Sequence, residues 1–202
     1  MLIAMLLNAI EKAMMNNPAR AALQRRFEAR RLLAMGGRVT GGTALEMGCG
    51  RGVGTEVVLD VFGAARVDAF DLDPDMVALA RQRLAGRPAR VSVGDAERID
   101  APDATYDAVF DFAIVHHIPD WRAALREVHR VLKPGGRFYA EEVLARFIHH
   151  PLWRRVLDHP TDDRFDAAGF ARGLEQAGLR VTARRELLGS FAWFVAEKPL
   201  AA

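Results

Sequence analysis

The chain has 202 residues, half of them hydrophobic, and a formal net charge of only +2, which together exclude a disordered or fibrous polymer and describe one globular domain with a single large core. Its basic residues are nearly all arginines, lysine standing only at Lys12, Lys133 and Lys198, and they are interspersed with Asp and Glu, which argues against a dedicated nucleic-acid stripe. The single cysteine, Cys49, excludes an internal disulfide and points to a reducing, cytoplasmic setting.

The first ten residues are apolar but lack the basic start and small-residue cleavage site of a signal peptide, and they are too few to span a bilayer. They are expected to bury on the domain's own surface, with a lid or an interfacial helix as the alternatives. Asn17 and Pro18 are a helix-start pair, N-cap and first helical residue, for a helix running past Leu23, Phe27, Leu32 and Leu33 to Gly36 and Gly37. A strand follows over 43–47, then the run Glu46-Met47-Gly48-Cys49-Gly50-Arg51-Gly52, then a helix from about Val53 to Gly63. A second strand over 66–71 leads to Asp73-Pro74, which opens a helix carrying Met76, Leu79, Ala80 and Leu84 at helical spacing. Strands over 90–93 and 106–112 come next, then a helix capped by Asp120 and closed by Lys133-Pro134-Gly135-Gly136, then a fifth strand over 137–142. After an aromatic, irregular stretch, Asp166 caps another helix, with Phe165 placed to staple onto Phe170. Two strands over 179–186 and 191–197, joined by four residues, read as an antiparallel hairpin. Strands alternating with helices of ten to fifteen residues indicate parallel βαβ units in an open α/β sheet, doubly wound, in which ligands bind beyond the carboxyl ends of the strands.

The glycine loop is the centre of this pattern. In the dinucleotide fingerprint G-x-G-x-x-G the third glycine would stand at position 53 or 55, which are Val53 and Thr55, so that reading fails in both frames. The spacing present, Glu46-x-Gly48-x-Gly50-x-Gly52, resembles the first motif of class I S-adenosylmethionine-dependent methyltransferases. Asp71, at the tip of the second strand, resembles the family's ribose-binding acid, and Gly94-Asp95-Ala96 its adenine-edge motif. Tyr106 to Asp111, His116 to Asp120 and Val131 to Gly136 are similar to its remaining motifs, so the resemblance covers the chain from Thr43 to about Glu142.

The resemblance, closest to the small-molecule, type 11 methyltransferases, implies a Rossmann-like seven-stranded sheet, mostly parallel with an antiparallel C-terminal hairpin. It implies one domain, 1–202: a helical cap over 1–40, a cofactor-binding core over 43–142, an acceptor-site insert over 143–164, and a helix and hairpin over 165–202. S-adenosylmethionine would lie against Glu46, Gly48, Cys49, Gly50, Gly52, Asp71, Leu72, Met76, Asp95, Ala96 and Phe112, the last standing where relatives often have a small or polar residue. His116, His117 and Glu142 would serve catalysis, a base being needed only where the acceptor must lose a proton. The implied function is methyl transfer to a small-molecule acceptor; a hydroxyl is one candidate, and whether the accepting atom is oxygen, nitrogen, carbon or sulfur is left open. A lipid or quinone methyltransferase at a membrane surface, an RNA or protein methyltransferase, aminopropyl transfer and a non-catalytic binding module are the alternatives. Asp111-Phe112-Ala113-Ile114 lacks the Asn/Asp-Pro-Pro-aromatic sequence of enzymes that methylate base amines, and nucleic acid is not the expected partner. His149, His150, Asp158, His159, Asp162 and Asp163 lack zinc-ligand spacing; no metal is expected, and this stretch reads as a flap in which Phe147, Leu152 and Trp153 wall the acceptor. Oligomeric state is left open.

Overall fold

The structure, a computed structural model, describes residues 17–150 and 163–200. The apolar first ten residues and most of the flap, with Leu152, Trp153, Asp158, His159 and Asp162, lie outside the described residues. Seven strands form one sheet: β1 (Thr43–Met47), β2 (Arg66–Asp71), β3 (Ala89–Val93), β4 (Tyr106–Phe112), β5 (Leu132–Val143), β6 (Arg180–Leu187) and β7 (Phe191–Glu197). Their order is β3-β2-β1-β4-β5-β7-β6. The first five pair in parallel, while β7 runs antiparallel to both β5 and β6.

The central strands are covered on both faces, which is why β1 and β4 are buried almost throughout rather than at alternate residues. On one face Leu45, Met47, Val109, Phe138 and Phe194 pack beneath α4 (Trp121–Val131) and α6 (Ala167–Gln176). On the other, Ala44, Phe110, Tyr139 and Val195 meet the remaining helices, with Phe110 and Tyr139 stacked at 4.7 Å between centroids. These helices are α1 (Pro18–Leu23, Gln24–Glu28 and Ala29–Gly36 in succession), α2 (Val53–Asp60) and α3 (Pro74–Arg83). A single turn, α5 (Ala145–Ile148), follows β5.

The helix starts are set by local chemistry. Asn17, Asp73, Asp120 and Asp166 each accept a hydrogen bond from a backbone N–H of the first turn they cap, satisfying donors the helix itself leaves orphaned. Phe165 and Phe170 close the staple on α6 with their rings 4.6 Å apart.

Three expectations are corrected by tertiary contacts. Lys133 to Gly136 do not close a helix into a loop but belong to β5, because Leu132 pairs with Tyr106 and the Gly135 N–H and Gly136 carbonyl bond to Lys198 beyond the end of β7. α1 is not one regular helix: a π-helical turn at Gln24–Glu28 adds a residue to the spiral, rotating Glu28 into the interior and leaving Leu23 and Phe27 at 49% and 43% exposure. In α3 the buried stripe is Val77, Ala80 and Leu84, and Leu79 faces solvent.

Helix α6 crosses α4 at Gly173, where a Cβ would overlap the fully buried Trp121 ring. Alanine is the better helix former by about 1 kcal/mol, but the ring is locked between Phe165 and Phe170 and overpacking costs about 1–3 kcal/mol. Gly173→Ala is therefore expected to lower the urea midpoint without changing the secondary structure seen by circular dichroism.

Candidate active site

Sequence order and sheet order diverge between β1 and β4, since β1 is flanked by β2 on one side and β4 on the other. A crevice opens beyond the strand tips at such a point. The glycine loop fills its floor. Cys49 N–H donates to Phe70 O at 2.9 Å and Gly52 N–H to Cys49 O at 2.8 Å. The loop turns through positive φ at Gly48, Gly50 and Gly52. A Cβ on Gly48 would sit 2.6 Å from Ile114 Cγ2, so glycine there lets the loop press against the segment after β4. A Cβ on Gly50 would meet nothing within 4 Å: its outer side is open, as a cradle for a ligand requires.

Asp71 ties this loop to the tip of β2. Its Oδ2 accepts from Gly50 N–H at 2.8 Å and its Oδ1 from Asp73 N–H at 2.9 Å, leaving further lone pairs for hydroxyl donors. Burial raises its pKa against those bonds. Leu72 and Met76 stand partly exposed beside it, Met76 in the first turn of α3. At the tip of β3, Asp95 Oδ1 accepts from Glu97 N–H at 2.9 Å and the following Ala96 is buried. The Cys49 thiol, pushed far up by burial and by the charges of Glu46 and Asp71, is no nucleophile at neutral pH.

Glu46 lies under the loop, buried, with the Thr55 hydroxyl donating to its Oε2. Desolvation pushes its pKa up to about 8, opposed by the Thr55 bond and reinforced by Asp71 and Asp111. Room for this carboxyl against α2 exists because position 54 is glycine; a Cβ there would overlap Glu46 Oε1. Glu46, Gly48, Gly50 and Phe112 line a small cavity of about 70 Å³, roofed by Arg20, Ala21 and Gln24 of α1. Phe112 supplies its aromatic wall and stacks on Phe110, the two centroids 6.0 Å apart.

On the opposite face of the sheet His116 and Glu142 meet. His116 Nδ1 is 2.7 Å from Glu142 Oε2, and the N–H groups of Val115 and His116 donate to the two oxygens of Glu142 at 2.9 and 3.2 Å. A carboxylate in that position fixes the proton on Nδ1 and leaves Nε2 as the acceptor. Burial raises Glu142 to about 7, lowered in part by Asp111 and by the backbone donors. Asp111, whose Oδ2 has no donor facing it, is held well above the carboxylate range by burial and by Glu142, so it keeps a proton beside its neighbour. His116 is buried, whereas His117 is partly exposed with its ring centroid 4.2 Å from that of His116. The sequence placed Asp111 within the motif run of the fourth strand but gave it no role beside Glu142, and Thr55, inside a helix, gave no sign of its bond to Glu46.

Among the described residues no group of three or more His, Cys, Asp or Glu could hold a metal ion, and no helix is long and apolar enough to cross a membrane.

A sheet of this order with a glycine loop at its switch point is the fold of the class I S-adenosylmethionine-dependent methyltransferases. A methyltransferase of this kind from Aquifex aeolicus superposes with a TM-score of 0.74 at 23% identity, covering 93% of this chain and 97% of that one. Residues 45–140 match the methyltransferase domain family. A malonyl-[acyl-carrier protein] O-methyltransferase from Serratia marcescens is 39% identical over 129 residues, 64% of this chain and 49% of its own length. A fatty-acid O-methyltransferase from Mycolicibacterium smegmatis is 34% identical over 119 residues, 59% of this chain and 43% of its own length. The chain thus spans about half the length of these curated relatives.

The raised carboxyls set the pH dependence of stability. Glu46 holds its proton to about pH 8 when folded, against 4.5 ordinarily, so the folded state binds more protons than the unfolded one across that window. Its contribution is complete below about pH 4.5 and is lost as pH rises through about 8, and Asp111, Glu141 and Glu142 act in the same direction. The urea midpoint is expected to fall between about pH 6 and pH 8.5, and to fall less in Glu46→Gln, whose amide does not titrate; an equal fall in the variant would place the effect elsewhere.

Proposed function

We propose that the chain binds S-adenosylmethionine across the strand tips and transfers its methyl group to an oxygen of a small or lipid-linked acceptor. The observation that carries this reading is the joint between the glycine loop and Asp71, with the outer side of Gly50 left open at the switch point. The O-methyltransferase names of both curated relatives support the class of acceptor atom.

The donor supplies a methyl group on a positively charged sulfonium, displaced in line by the acceptor, so alignment can provide much of the rate. The residues fit that ligand. Asp71 offers lone pairs to the two ribose hydroxyls, Leu72 and Met76 flank the base, and the Asp95 carboxylate and Ala96 N–H meet its edge. Gly48, Gly50, Gly52 and Cys49 provide the floor under the methionine end, against Glu46 and the Phe112 ring. A hydroxyl acceptor must give up a proton, and the imidazoles of His116 and His117 are the groups placed to take it. Glu142 orients His116 through Nδ1, and His117, partly exposed where His116 is buried, has the readier access.

Calorimetric titration is expected to show S-adenosylmethionine and S-adenosylhomocysteine binding to the wild type, with at least tenfold weaker binding, about 1.4 kcal/mol, in Asp71→Asn. A folded wild type that binds neither ligand overturns the reading. With any hydroxyl acceptor that is turned over, His117→Ala is expected to lower kcat about 100-fold or more while leaving S-adenosylhomocysteine affinity unchanged; unchanged kcat would remove His117 from the chemistry.

A further inference from the structure

Both imidazoles of the site sit on one turn, Val115–His117, and its backbone hydrogen bonds can be followed one by one. The chain enters from β4 through Ala113, which stands in the left-handed region at φ 65°. A residue with a Cβ holds that conformation only where its surroundings insist on it. Every N–H from Ala113 to Ile118 has an acceptor. Ala113 donates to Glu141 O at 2.8 Å, Ile114 to Asp111 Oδ1 at 2.8 Å, and Val115 and His116 to the two oxygens of Glu142. His117 and Ile118 close the turn on the carbonyls of Ile114 and Val115 at 2.9 and 3.0 Å.

The carbonyls of His116 and Ile118 go to a distant side chain, Arg164. One guanidinium nitrogen donates to His116 O at 2.5 Å and to Ile118 O at 3.2 Å, and the other to Ile118 O at 3.2 Å. His117 lies between those two carbonyls, so a single rigid, planar group brackets its backbone. Glu142 grips the turn by its amides from the interior. Arg164, partly exposed, grips it by its carbonyls from the side of a cavity of about 440 Å³ that it lines with Trp121 and the start of α6.

The neighbours of Arg164 show that this arm is built. Asp163 O accepts from the Trp121 indole N–H at 3.0 Å, and the Asp163 carboxylate pairs with Arg122. Phe165 O accepts from Ala145 N–H at 2.9 Å, and the buried Phe165 ring packs on Trp121 and Phe170. With the residues on both sides locked, the fold itself aims the arginine at the histidine turn.

We propose that Arg164 is a positioning residue for methyl transfer: by holding the carbonyls of His116 and Ile118 it sets where the His117 ring stands against the acceptor hydroxyl. The guanidinium keeps its charge throughout and takes no proton. The role in transfer rests on the reading of His117 as the base, whereas the clamp on the turn does not.

The test compares the full-length wild type with Arg164→Ala and Arg164→Lys, first by nuclear magnetic resonance relaxation. The backbone N–H order parameters of His117 and Ile118 are expected at the rigid value of about 0.85 in the wild type and to drop toward about 0.6 in Arg164→Ala, with Val109 and Phe110 of β4 unchanged. With a hydroxyl acceptor that the wild type turns over, kcat is expected to fall about tenfold or more in Arg164→Ala while KM for S-adenosylmethionine stays within about twofold. Arg164→Lys keeps the charge but not the planar fork and is expected to recover part of that loss at most. Order parameters that do not move at His117 and Ile118, or that drop equally in β4, overturn the clamp. A loss confined to KM, or full recovery by lysine, overturns the positioning role. If S-adenosylhomocysteine fails to bind the wild type, the methyltransferase reading falls and the role in transfer with it, while the order parameters still decide whether Arg164 sets the turn.

Discussion

Parallel pairing places the carboxyl ends of adjacent strands side by side, and in this chain three of those ends, on β1, β4 and β5, carry four buried acids, Glu46, Asp111, Glu141 and Glu142. Everything at the site follows from how that desolvation is offset. A lone buried carboxylate is expensive, and its cheapest escape is to keep its proton or to collect donors. The chain uses both routes. Glu46 takes the Thr55 hydroxyl and a raised pKa, Glu142 collects two backbone N–H groups and a histidine ring, and Asp111 keeps its proton at the side of Glu142. Glu141 sits among Arg20, Glu28 and the Trp193 indole and is held above the usual carboxylate range by burial and by Glu28.

Because side chains alternate along a strand, these acids fall into two groups separated by the thickness of the sheet. One group, Asp111 and Glu142 with His116, is a proton-holding assembly in which Glu142 is bonded to the His116 ring and the backbone and Asp111 keeps a proton beside it. The other, Glu46 and Glu141 with Arg20 and Glu28, faces the glycine loop and the roof made by α1. Their chemistry differs for the same reason: the first is closed by backbone donors from the turn after β4, whereas the second is closed by side chains of a helix far away in sequence.

That helix is fastened where its position matters. Arg25 of α1 pairs with Glu56 in the first turn of α2, which opens directly from the glycine loop, and Glu56 is met from the other side by Arg83. The acid near the start of α2 also suits the positive end of its dipole. Arg20 and Gln24 therefore roof the loop as part of the same body that supports it.

Much of this was legible beforehand. Strands over 43–47, 66–71 and 106–112 end where the sequence placed them, because each is an apolar run closed by a glycine, an aspartate or a turn, and the caps at Asn17, Asp73, Asp120 and Asp166 act through contacts within one helical turn. The glycine spacing, the loop and the acid at the tip of β2 were likewise local, since a strand, a turn and a helix start leave their marks in consecutive residues. What stayed hidden was how the buried acids meet one another across long loops. The sequence pointed to Glu142 but gave no reason to join it to Asp111, or Glu141 to Glu28, because those meetings depend on which strands lie side by side and on a π-helical turn that periodicity cannot show. β5 grew backward to Leu132 for the same reason: its first residues found backbone partners on Tyr106 and Lys198, and a segment's hydrogen bonds, not its own propensity, decided its conformation.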